Sequence, residues 1–290
     1  MYKVDNAVIM AAGVSSRFAP LSYEKPKALI EVKKEVLIER QIKQLLEVGI
    51  SDIYVVVGYK AEQFDYLKEK FGVHIVKNEE YLSRNNNGSI YAVRNIIKNT
   101  YICSADNYFN QNPFEKEIEE SYYAGIYAEG RTSEWCMQVD DKGYINKIDI
   151  GGSDAWYMLG HAFWSEEFSA KFIEILEAEY HLPETRNLLW EAIFNKHLLH
   201  LKMLIRKYPH DYIYEFDTLD ELRTFDISYI KDTRSAILKY IAKEMNGTEE
   251  EITDITAYKG IDAIAQGICF TFRLERYIYR YADKIVKRLE

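Results

Sequence analysis

The segment that most constrains the fold of this 290-residue chain is AAGVSSRFAPLSYEKPKAL, residues 11 to 29, which follows the apolar run Ala7 to Met10. A glycine after a buried strand lets backbone N–H groups approach and point at phosphate oxygens, and Gly13 stands at that position. Arg17 and Lys27 would add full positive charge near the α- and β-phosphates of a nucleotide. The segment therefore predicts a triphosphate-binding loop at the end of a strand.

An ordinary glycine turn with two solvated cations is the alternative interpretation. The sequence Lys25-Pro26-Lys27 argues against it, because Pro26 stiffens the approach to Lys27 and biases Lys25 towards an extended conformation. The segment is neither a Walker A loop, which places Gly-Lys-Ser/Thr at the start of a helix, nor the dinucleotide-binding GxGxxG pattern. We predict that Arg17 and Lys27 are the catalytic cations. The loop residues predicted to bind the nucleotide are Ala11, Ala12, Gly13 and Ser15.

Apolar strand-like runs alternate with helical patterns, which predicts an α/β fold with a doubly wound, mainly parallel mixed sheet covered on both faces. The predicted strands are 6–12, 53–57, 73–76 and 100–104, and the predicted helices are 35–48, 61–70 and 88–98. From 121 to 164 we expect short strands, with a hairpin turn at Asp140-Asp141-Lys142-Gly143. Helices at 165–180 and 186–197, strands at 201–206 and 211–215, and a helical segment at 227–245 follow.

Two aspartates are placed to bind a metal ion. Asp106 follows the strand-like run Tyr101 to Ala105, and ligands of open sheets lie at the carboxyl ends of the strands. Asp217 follows the strand-like Tyr212 to Phe216 and starts a helical segment, so helix capping is a competing role for it. Mg²⁺ prefers one or two protein carboxylates plus phosphate oxygens. We therefore expect Asp106 and Asp217 to hold Mg²⁺ on the phosphates, with Asp106 also at the nucleotide.

Four other residues are expected near the base or ribose of the nucleotide. Asn87 and Ser89 lie at the start of the predicted helix 88–98, where amide and hydroxyl groups suit such recognition. Helix capping is the competing role for Ser89. Gly58 and Tyr59 come directly after the strand 53–57 and are expected to border the base.

Later segments resemble the bacterial phosphocholine cytidylyltransferases, a branch of the nucleotidylyltransferase superfamily whose signature the loop at 11–29 resembles. The segments that carry this resemblance in order and spacing are NNNGSIYAVR (85–94), SADNY (104–108), EWCMQVD (134–140), YMLGHAFW (157–164) and EFDTLDEL (215–222). The resemblance covers roughly residues 5 to 226. It implies a nucleotide-diphospho-sugar transferase-like fold, transfer of a cytidylyl group from CTP to phosphocholine, and Asp217 as the second metal-binding aspartate.

The resemblance also implies an aromatic and acidic site for phosphocholine. A quaternary ammonium has no N–H to donate, so aromatic faces and negative potential recognise it, at about 0.5–2 kcal/mol for each cation–π contact. Core packing is the competing role for every tryptophan, and Trp156, which has no match in the motifs, is interpreted as a core residue. The residues expected to bind phosphocholine are Glu134, Trp135, Trp164, Trp190 and Glu191.

The composition indicates a cytoplasmic enzyme. The formal charge is −9, from 37 Lys and Arg against 46 Asp and Glu, which disfavours nonspecific nucleic-acid binding. The sequence has no apolar span of about 18 residues, and Asp5 stands where a signal peptide would be apolar, so we expect no membrane partner. Three scattered cysteines are too few for a disulfide framework or a zinc site.

We divide the chain into a nucleotidylyltransferase domain, residues 1–226, and a C-terminal extension, residues 227–290. Residues 249–290 resemble the start of a choline-kinase-like domain, but residues 261–265 replace the glycine, threonine and asparagine of the kinase loop, and no catalytic loop follows. About 40 residues cannot hold a kinase active site. We expect a small helical or α+β element, or a contact within a homodimer.

Two other functions are compatible with the sequence. The acceptor of the nucleotidyl group could be another phospho-alcohol, a phosphonate or a sugar 1-phosphate. Alternatively, the chain could be a catalytically idle nucleotide-binding or scaffolding module. The presence of Lys27, Asp106 and Asp217 together argues against an idle module, whereas the unusual tail argues mildly for it.

Overall fold

The computed structural model describes residues 1–259 and 264–289. Contacts between residues divide the chain into two compact units. Unit 1 is Met1–Gly13 with Leu37–Glu215, and unit 2 is Val14–Val36 with Phe216–Glu290. The predicted domains 1–226 and 227–290 do not coincide with these units, because residues 14–36 make their contacts with residues that follow position 215.

Strands and helices alternate along the first half of the chain, and strands predominate at its C-terminal end. In chain order, the strands are β1 (Tyr2–Lys3), β2 (Asn6–Ala11), β3 (Glu31–Val32), β4 (Glu35–Val36), β5 (Ile53–Val57), β6 (His74–Lys77), β7 (Thr100–Ser104), β8 (Asn107–Phe109), β9 (Glu117–Ile118), β10 (Tyr122–Val139), β11 (Ile145–Trp164), β12 (Leu204–Tyr208), β13 (Ile213–Glu215), β14 (Ile252–Lys259), β15 (Ala265–Phe272), β16 (Glu275–Arg280) and β17 (Ile285–Arg288). The α-helices are α1 (Leu21–Glu24), α2 (Leu37–Glu47), α3 (Tyr66–Phe71), α4 (Asn87–Ala92), α5 (Glu166–Glu179), α6 (Trp190–Lys196), α7 (Leu219–Phe225), α8 (Ser228–Lys231) and α9 (Ala236–Glu244). Single 3₁₀ turns lie at Ser16–Phe18, Lys27–Leu29, Ala61–Phe64, Pro183–Thr185 and Glu249–Glu251.

Unit 1 is built on a seven-stranded mixed sheet with the order β12-β10-β11-β7-β2-β5-β6. Strand β11 pairs antiparallel with β10 and with β7, and the other neighbours in this sheet are parallel. The predicted mainly parallel α/β sheet is confirmed. Because β2, β5 and β7 are parallel neighbours, their carboxyl ends lie at one edge of the sheet, where the loops after Ala11, Val57 and Ser104 begin.

The predicted elements match best where an apolar run has sharp ends. The strands Ile53–Val57 and Thr100–Ser104 and the turn at 140–143 are confirmed, the turn being held by Asp140 Oδ1, which accepts from the backbone N–H groups of Lys142 and Tyr144. The helix predicted at 88–98 ends at Ala92. The short strands expected from 121 to 164 are instead the two long strands β10 and β11, whose pairing is interrupted by several bulges.

The core of unit 1 lies between the sheet and helices α5 and α6. Trp164, Phe172 and Trp190 are fully buried in it, and the Trp164 and Trp190 rings meet edge to face with centroids 5.0 Å apart. Large aromatic side chains bury much apolar area, so this cluster fixes α6 against the sheet. Helix α6 in turn carries Glu191.

Unit 2 combines the segment 14–36 with the C-terminal part of the chain. Its main sheet is antiparallel, with the order β14-β15-β16-β17, and β3 and β4 form a separate hairpin. Helix α7 begins with a capping box in which Thr218 and Glu221 satisfy each other's backbone N–H groups. The replaced kinase loop at 261–265 lies largely outside the described residues, since 261–263 are among those not described. Among the helices of the described ranges, none has the length and apolar character needed to cross a membrane.

Candidate active site

The loop after β2 lies against the loop after β5. The backbone N–H of Tyr59 donates to the carbonyl of Ala12 at 3.1 Å. A Cβ atom at Gly58 would lie 2.6 Å from Tyr81 Cβ and 2.9 Å from the Ala12 oxygen, distances that side chains do not adopt. Gly58 is therefore required by the close packing of the two loops, and Tyr59 is buried beside it.

Gly13 has a different role from Gly58. An added Cβ at Gly13 would meet nothing within 4 Å, and the φ angle of Gly13 lies outside the left-handed region. The left-handed backbone angle in this loop belongs to Ser15, with φ 46°. The protein itself leaves the space in front of Gly13 open, as close approach of a phosphate requires.

We predict opposite effects for alanine at these two glycines. Gly58→Ala is expected to destabilise the fold by about 2 kcal/mol, because its Cβ meets Tyr81 and a backbone oxygen. Gly13→Ala is expected to leave the unfolding midpoint unchanged or slightly raised and to raise KM for CTP about tenfold. Thermal unfolding and steady-state kinetics of both variants test this, and an unchanged KM for Gly13→Ala would argue against phosphate approach at this loop.

Asp106 lies in the turn between β7 and β8. The buried side-chain amide of Gln41, on α2, donates to the carbonyls of Ser104 at 2.9 Å and Asn107 at 2.8 Å. The backbone N–H of Ala105 donates to the Met10 carbonyl at 3.1 Å and so ties the turn to the end of β2. These contacts fix the turn on both sides of the partly exposed Asp106.

A buried carboxylate network joins helix α6 to the segment before α4. Glu191 Oε1 accepts from the Tyr123 hydroxyl at 3.2 Å, and Oε2 accepts from Asn86 Nδ2 at 3.0 Å. Asn86 Oδ1 accepts from the backbone N–H of Trp190 at 2.7 Å. Burial raises the pKa of Glu191, because the carboxylate loses hydration. A cation placed near it would stabilise its charged form.

The charges of four carboxylates act on two tyrosines of unit 1. Burial raises the pKa of Tyr123 well above its ordinary value, and the charges of Glu191, Glu215 and Asp106 raise it further. Burial, followed by the charges of Glu134 and Glu215, raises the pKa of Tyr157. These shared effects show that the carboxylates act on one region, which we call the acidic cluster: Asp106, Glu134, Glu191 and Glu215. It produces a negative potential that attracts cations.

A cavity of about 740 Å³ opens on the long hairpin beside the acidic cluster. Glu134, a member of the acidic cluster, and Tyr157, whose pKa the cluster raises, both line this cavity. The Trp156 ring lies edge to face with Tyr127, with centroids 5.4 Å apart, and Lys207 Nζ lies 4.9 Å from its centroid. The other aromatic side chain that lines the cavity is Tyr208.

The structure changes the roles predicted for the tryptophans. Trp164 and Trp190 are 0% and 1% exposed and pack within the core, so their rings present no face to solvent in this structure, and their contact with a ligand stays a prediction. Trp190 instead stacks behind Tyr123, with centroids 5.5 Å apart. Trp135 is half-buried against the core. The interpretation of Trp156 as a core residue is wrong, since Trp156 lines the cavity.

Asn87 and Ser89 also point inward. The Asn87 side-chain amide is fully buried and donates to the carbonyls of Thr185 and Leu188, and buried Ser89 accepts from Asn78 Nδ2 at 3.3 Å. These contacts give both side chains structural roles in unit 1, and their expected contacts to the nucleotide stay a prediction. Neither residue caps α4, whose preceding residue is Asn86 and makes no side-chain cap.

The loop cations lie in unit 2. Arg17 Nη1 pairs with Asp217 Oδ2 at 2.6 Å, and the exposed Arg17 side chain remains 70% accessible. Lys27 is buried, with its Nζ 5.7 Å from the Phe18 ring centroid. Helix capping as the role of Asp217 is wrong, because Thr218 is the N-cap residue of α7. The Asp217 carboxylate instead pairs with a loop cation.

Comparisons with known proteins agree with this architecture. The family described as MobA-like NTP transferase domain matches residues 7–116. The chain is 34% identical over 220 residues to a choline-phosphate cytidylyltransferase of Streptococcus pneumoniae, covering 76% of this chain and 96% of that protein. It is 37% identical over 234 residues to a 2-aminoethylphosphonate cytidylyltransferase of Lancefieldella rimae, covering 79% of this chain and 95% of that protein.

A solved structure shows the same likeness in three dimensions. It is the CTP:phosphocholine cytidylyltransferase of Streptococcus pneumoniae, with a TM-score of 0.74, 35% identity, and coverage of 77% of this chain and 97% of that chain. The nucleotide-diphospho-sugar transferase fold and the strand-end loop define a nucleotidyltransferase. Within that class, the chain belongs to the family of the bacterial choline-phosphate cytidylyltransferases.

Proposed function

We propose that this protein transfers the cytidylyl group of CTP to phosphocholine, giving CDP-choline and pyrophosphate. The observation that carries the choice of acceptor is the acidic cluster beside the aromatic cavity of unit 1. Choline carries a fixed positive charge without N–H groups, so it needs aromatic faces and negative potential rather than hydrogen-bond acceptors. Tyr157 and Glu134, which line the cavity next to the cluster, supply both.

The relative that acts on 2-aminoethylphosphonate makes a primary ammonium the strongest rival. A primary ammonium has three N–H donors and favours carboxylate oxygens that are free to accept. Both oxygens of the buried Glu191 already accept hydrogen bonds, from Tyr123 and Asn86. Glu191 is thus held within a hydrogen-bond network of the protein, and the aromatic lining of the cavity by Trp156 and Tyr157 is what favours the quaternary ammonium.

The proposed reaction requires no strong base. A phosphate oxygen of phosphocholine, already ionised near neutral pH, attacks the α-phosphorus of CTP and forms a new P–O bond. The bond from the α-phosphorus to the bridging oxygen breaks in line, and pyrophosphate leaves with its electron pair. Lys27 and Arg17 neutralise the charge that develops on the phosphates, so catalysis is mainly positioning and electrostatic stabilisation.

Mg²⁺ belongs to the proposal on chemical grounds. Asp106 and Asp217 each offer a partly exposed carboxylate, and hard oxygen donors of this kind suit Mg²⁺ together with phosphate oxygens. The ion would supply charge neutralisation on the phosphates. The assignment of both aspartates to one ion rests on the sequence motifs. Cytoplasmic location and a homodimer likewise remain parts of the proposal.

Pyrophosphate release by the purified protein tests the function. CTP, ATP, GTP and UTP are each supplied with Mg²⁺ and one acceptor: phosphocholine, phosphoethanolamine, 2-aminoethylphosphonate or glucose 1-phosphate. Release that is fastest with CTP and phosphocholine is the expected result. Preference for 2-aminoethylphosphonate would keep nucleotidyl transfer and overturn the quaternary-ammonium proposal.

Tyr157→Leu is expected to raise KM for phosphocholine about tenfold, because one cation–π face beside the acidic cluster is lost. KM for CTP is expected to stay within about twofold, since Tyr157 is assigned to the acceptor alone. Tyr66→Leu is the matched control, because Tyr66 is an exposed tyrosine of unit 1 whose hydroxyl donates at 3.0 Å to Glu39, a glutamate outside the acidic cluster. Equal kinetics for the two variants would remove Tyr157 from the acceptor site.

A further inference from the structure

The segment that carries the loop cations is held by residues that follow position 222. The alignment with the Streptococcus pneumoniae relative covers 96% of that protein but only 76% of this chain. About a quarter of this chain therefore has no counterpart in that relative. The motifs that resemble the family end at Leu222. Within unit 2, residues after that point contact the segment 14–36 at several places.

The first group of contacts lies directly before Lys25-Pro26-Lys27. Glu24 Oε1 accepts from the backbone N–H of Ile237 at 3.0 Å, in the first turn of α9. A carboxylate at a helix N-terminus satisfies a free N–H group and complements the helix dipole. The Tyr23 ring stacks on Tyr281 with centroids 3.9 Å apart and an interplanar angle of 26°. Two successive loop residues are thus held by two different elements of the extension.

The second group of contacts lies directly after the Lys27 turn. The carbonyl of Glu31 accepts from the Tyr229 hydroxyl and from Arg234 Nη1, the latter at 3.0 Å. The backbone N–H of Lys33 donates to Asp226 Oδ2 at 2.7 Å. Lys33 has a φ of 48°, so the contact stabilises a conformation that non-glycine residues adopt rarely.

We propose that Tyr281, Arg234 and the N-terminus of α9 are positioning residues for the CTP site, because they clamp both ends of the stretch that carries Lys27. This inference rests on the proposed function. Lys27 is buried and is the first residue of a 3₁₀ turn, with these contacts before and after it. A small displacement of a phosphate-binding cation weakens binding and transition-state stabilisation together. The extension therefore supports the nucleotide site of this chain and is not merely an appended element.

The test compares Tyr281→Leu with Tyr277→Leu in the full chain. Tyr277, on β16, stacks on Phe270 and donates to Glu275 Oε2 at 2.7 Å, so it is matched in residue type and makes these contacts on β15 and β16 and not with the segment 14–36. Tyr281→Leu is expected to raise Kd and KM for CTP about tenfold and to change KM for phosphocholine by less than about twofold. Tyr281→Phe, which keeps the stacked ring, is expected to restore CTP affinity. Tyr277→Leu is expected to leave Kd for CTP unchanged.

Calorimetric CTP binding separates this inference from the proposed function. Wild-type protein that binds no CTP would overturn the proposed function, whereas normal CTP binding by Tyr281→Leu and by Arg234→Gln would overturn the clamp alone. A purely structural role would lower the active fraction, and so kcat, without changing Kd. Arg234→Gln covers the case in which Tyr281→Leu does not fold, because Arg234 is exposed; we expect a two- to fivefold rise in its Kd for CTP.

Discussion

Lys27→Ala is expected to lower kcat for CDP-choline formation by about a hundredfold or more while the protein stays folded. The basis is the removal of a preorganised positive charge that acts on the phosphates as charge develops on them. Lys27 is buried beside Phe18, so its position is fixed before the nucleotide binds. A fixed cation in a site with little water stabilises a transition state more than a mobile surface cation does.

Two further variants separate the charge of Lys27 from its packing. Lys27→Met keeps an unbranched apolar side chain beside Phe18 but has no charge, and it is expected to lose as much activity as Lys27→Ala. Lys34→Ala, in the same segment, removes an exposed lysine and is expected to retain wild-type turnover. Steady-state kinetics with circular dichroism check all three. Activity restored by methionine would show that Lys27 acts through packing and would remove it from catalysis.

The strand ends of the site were predictable because local sequence determines them. Apolar runs with sharp polar ends gave strands β5 and β7 at their observed bounds, and these place Gly58 and Asp106 at one edge of the sheet. The long hairpin was not predicted, because bulges and glycines break the alternation of β10 and β11. The sequence therefore did not show on which face of the sheet Tyr157 lies, and Tyr157 was not predicted as a site residue.

The acidic cluster could not be found from local pattern. Asn86 and Glu191 are 105 residues apart in sequence, and Tyr123 lies 68 residues from Glu191. Glu191 was predicted through family resemblance, but its partners were missed. A motif also does not show which rings are buried: Trp164 and Trp190 pack in the core, whereas Trp156 lines the cavity.

The grouping of residues 14–36 with the C-terminal part follows from contacts across a still larger sequence distance. The Tyr229 hydroxyl reaches the Glu31 carbonyl over 198 positions, and Glu24 meets Ile237 over 213. Neither pair has a sequence signature, since one partner in each contact is backbone. The sequence therefore indicated an appended element at the C-terminal end. In the structure, that part of the chain contacts the segment 14–36, which carries Arg17 and Lys27.

Asp106→Asn is expected to lower kcat by about a hundredfold with little change in stability. Asparagine has the same shape but lacks the charge that favours a divalent cation on the phosphates. The turn itself is held by Gln41 through backbone carbonyls, so its geometry does not depend on the Asp106 carboxylate. Removing one of the like charges around Tyr123 also relieves repulsion, and a small rise in the unfolding midpoint is expected.

The dependence of rate on Mg²⁺ concentration decides the role of Asp106. If Asp106 holds the ion, Asp106→Asn needs more Mg²⁺ for half-maximal rate, and KM for phosphocholine changes by less than about threefold. Asp154→Asn is the matched control, because Asp154 is an exposed aspartate of unit 1 on the long hairpin. Unchanged Mg²⁺ dependence with a large rise in KM for phosphocholine would instead assign Asp106 to the acidic cluster alone, since its charge would then act on the ammonium and not on the phosphates.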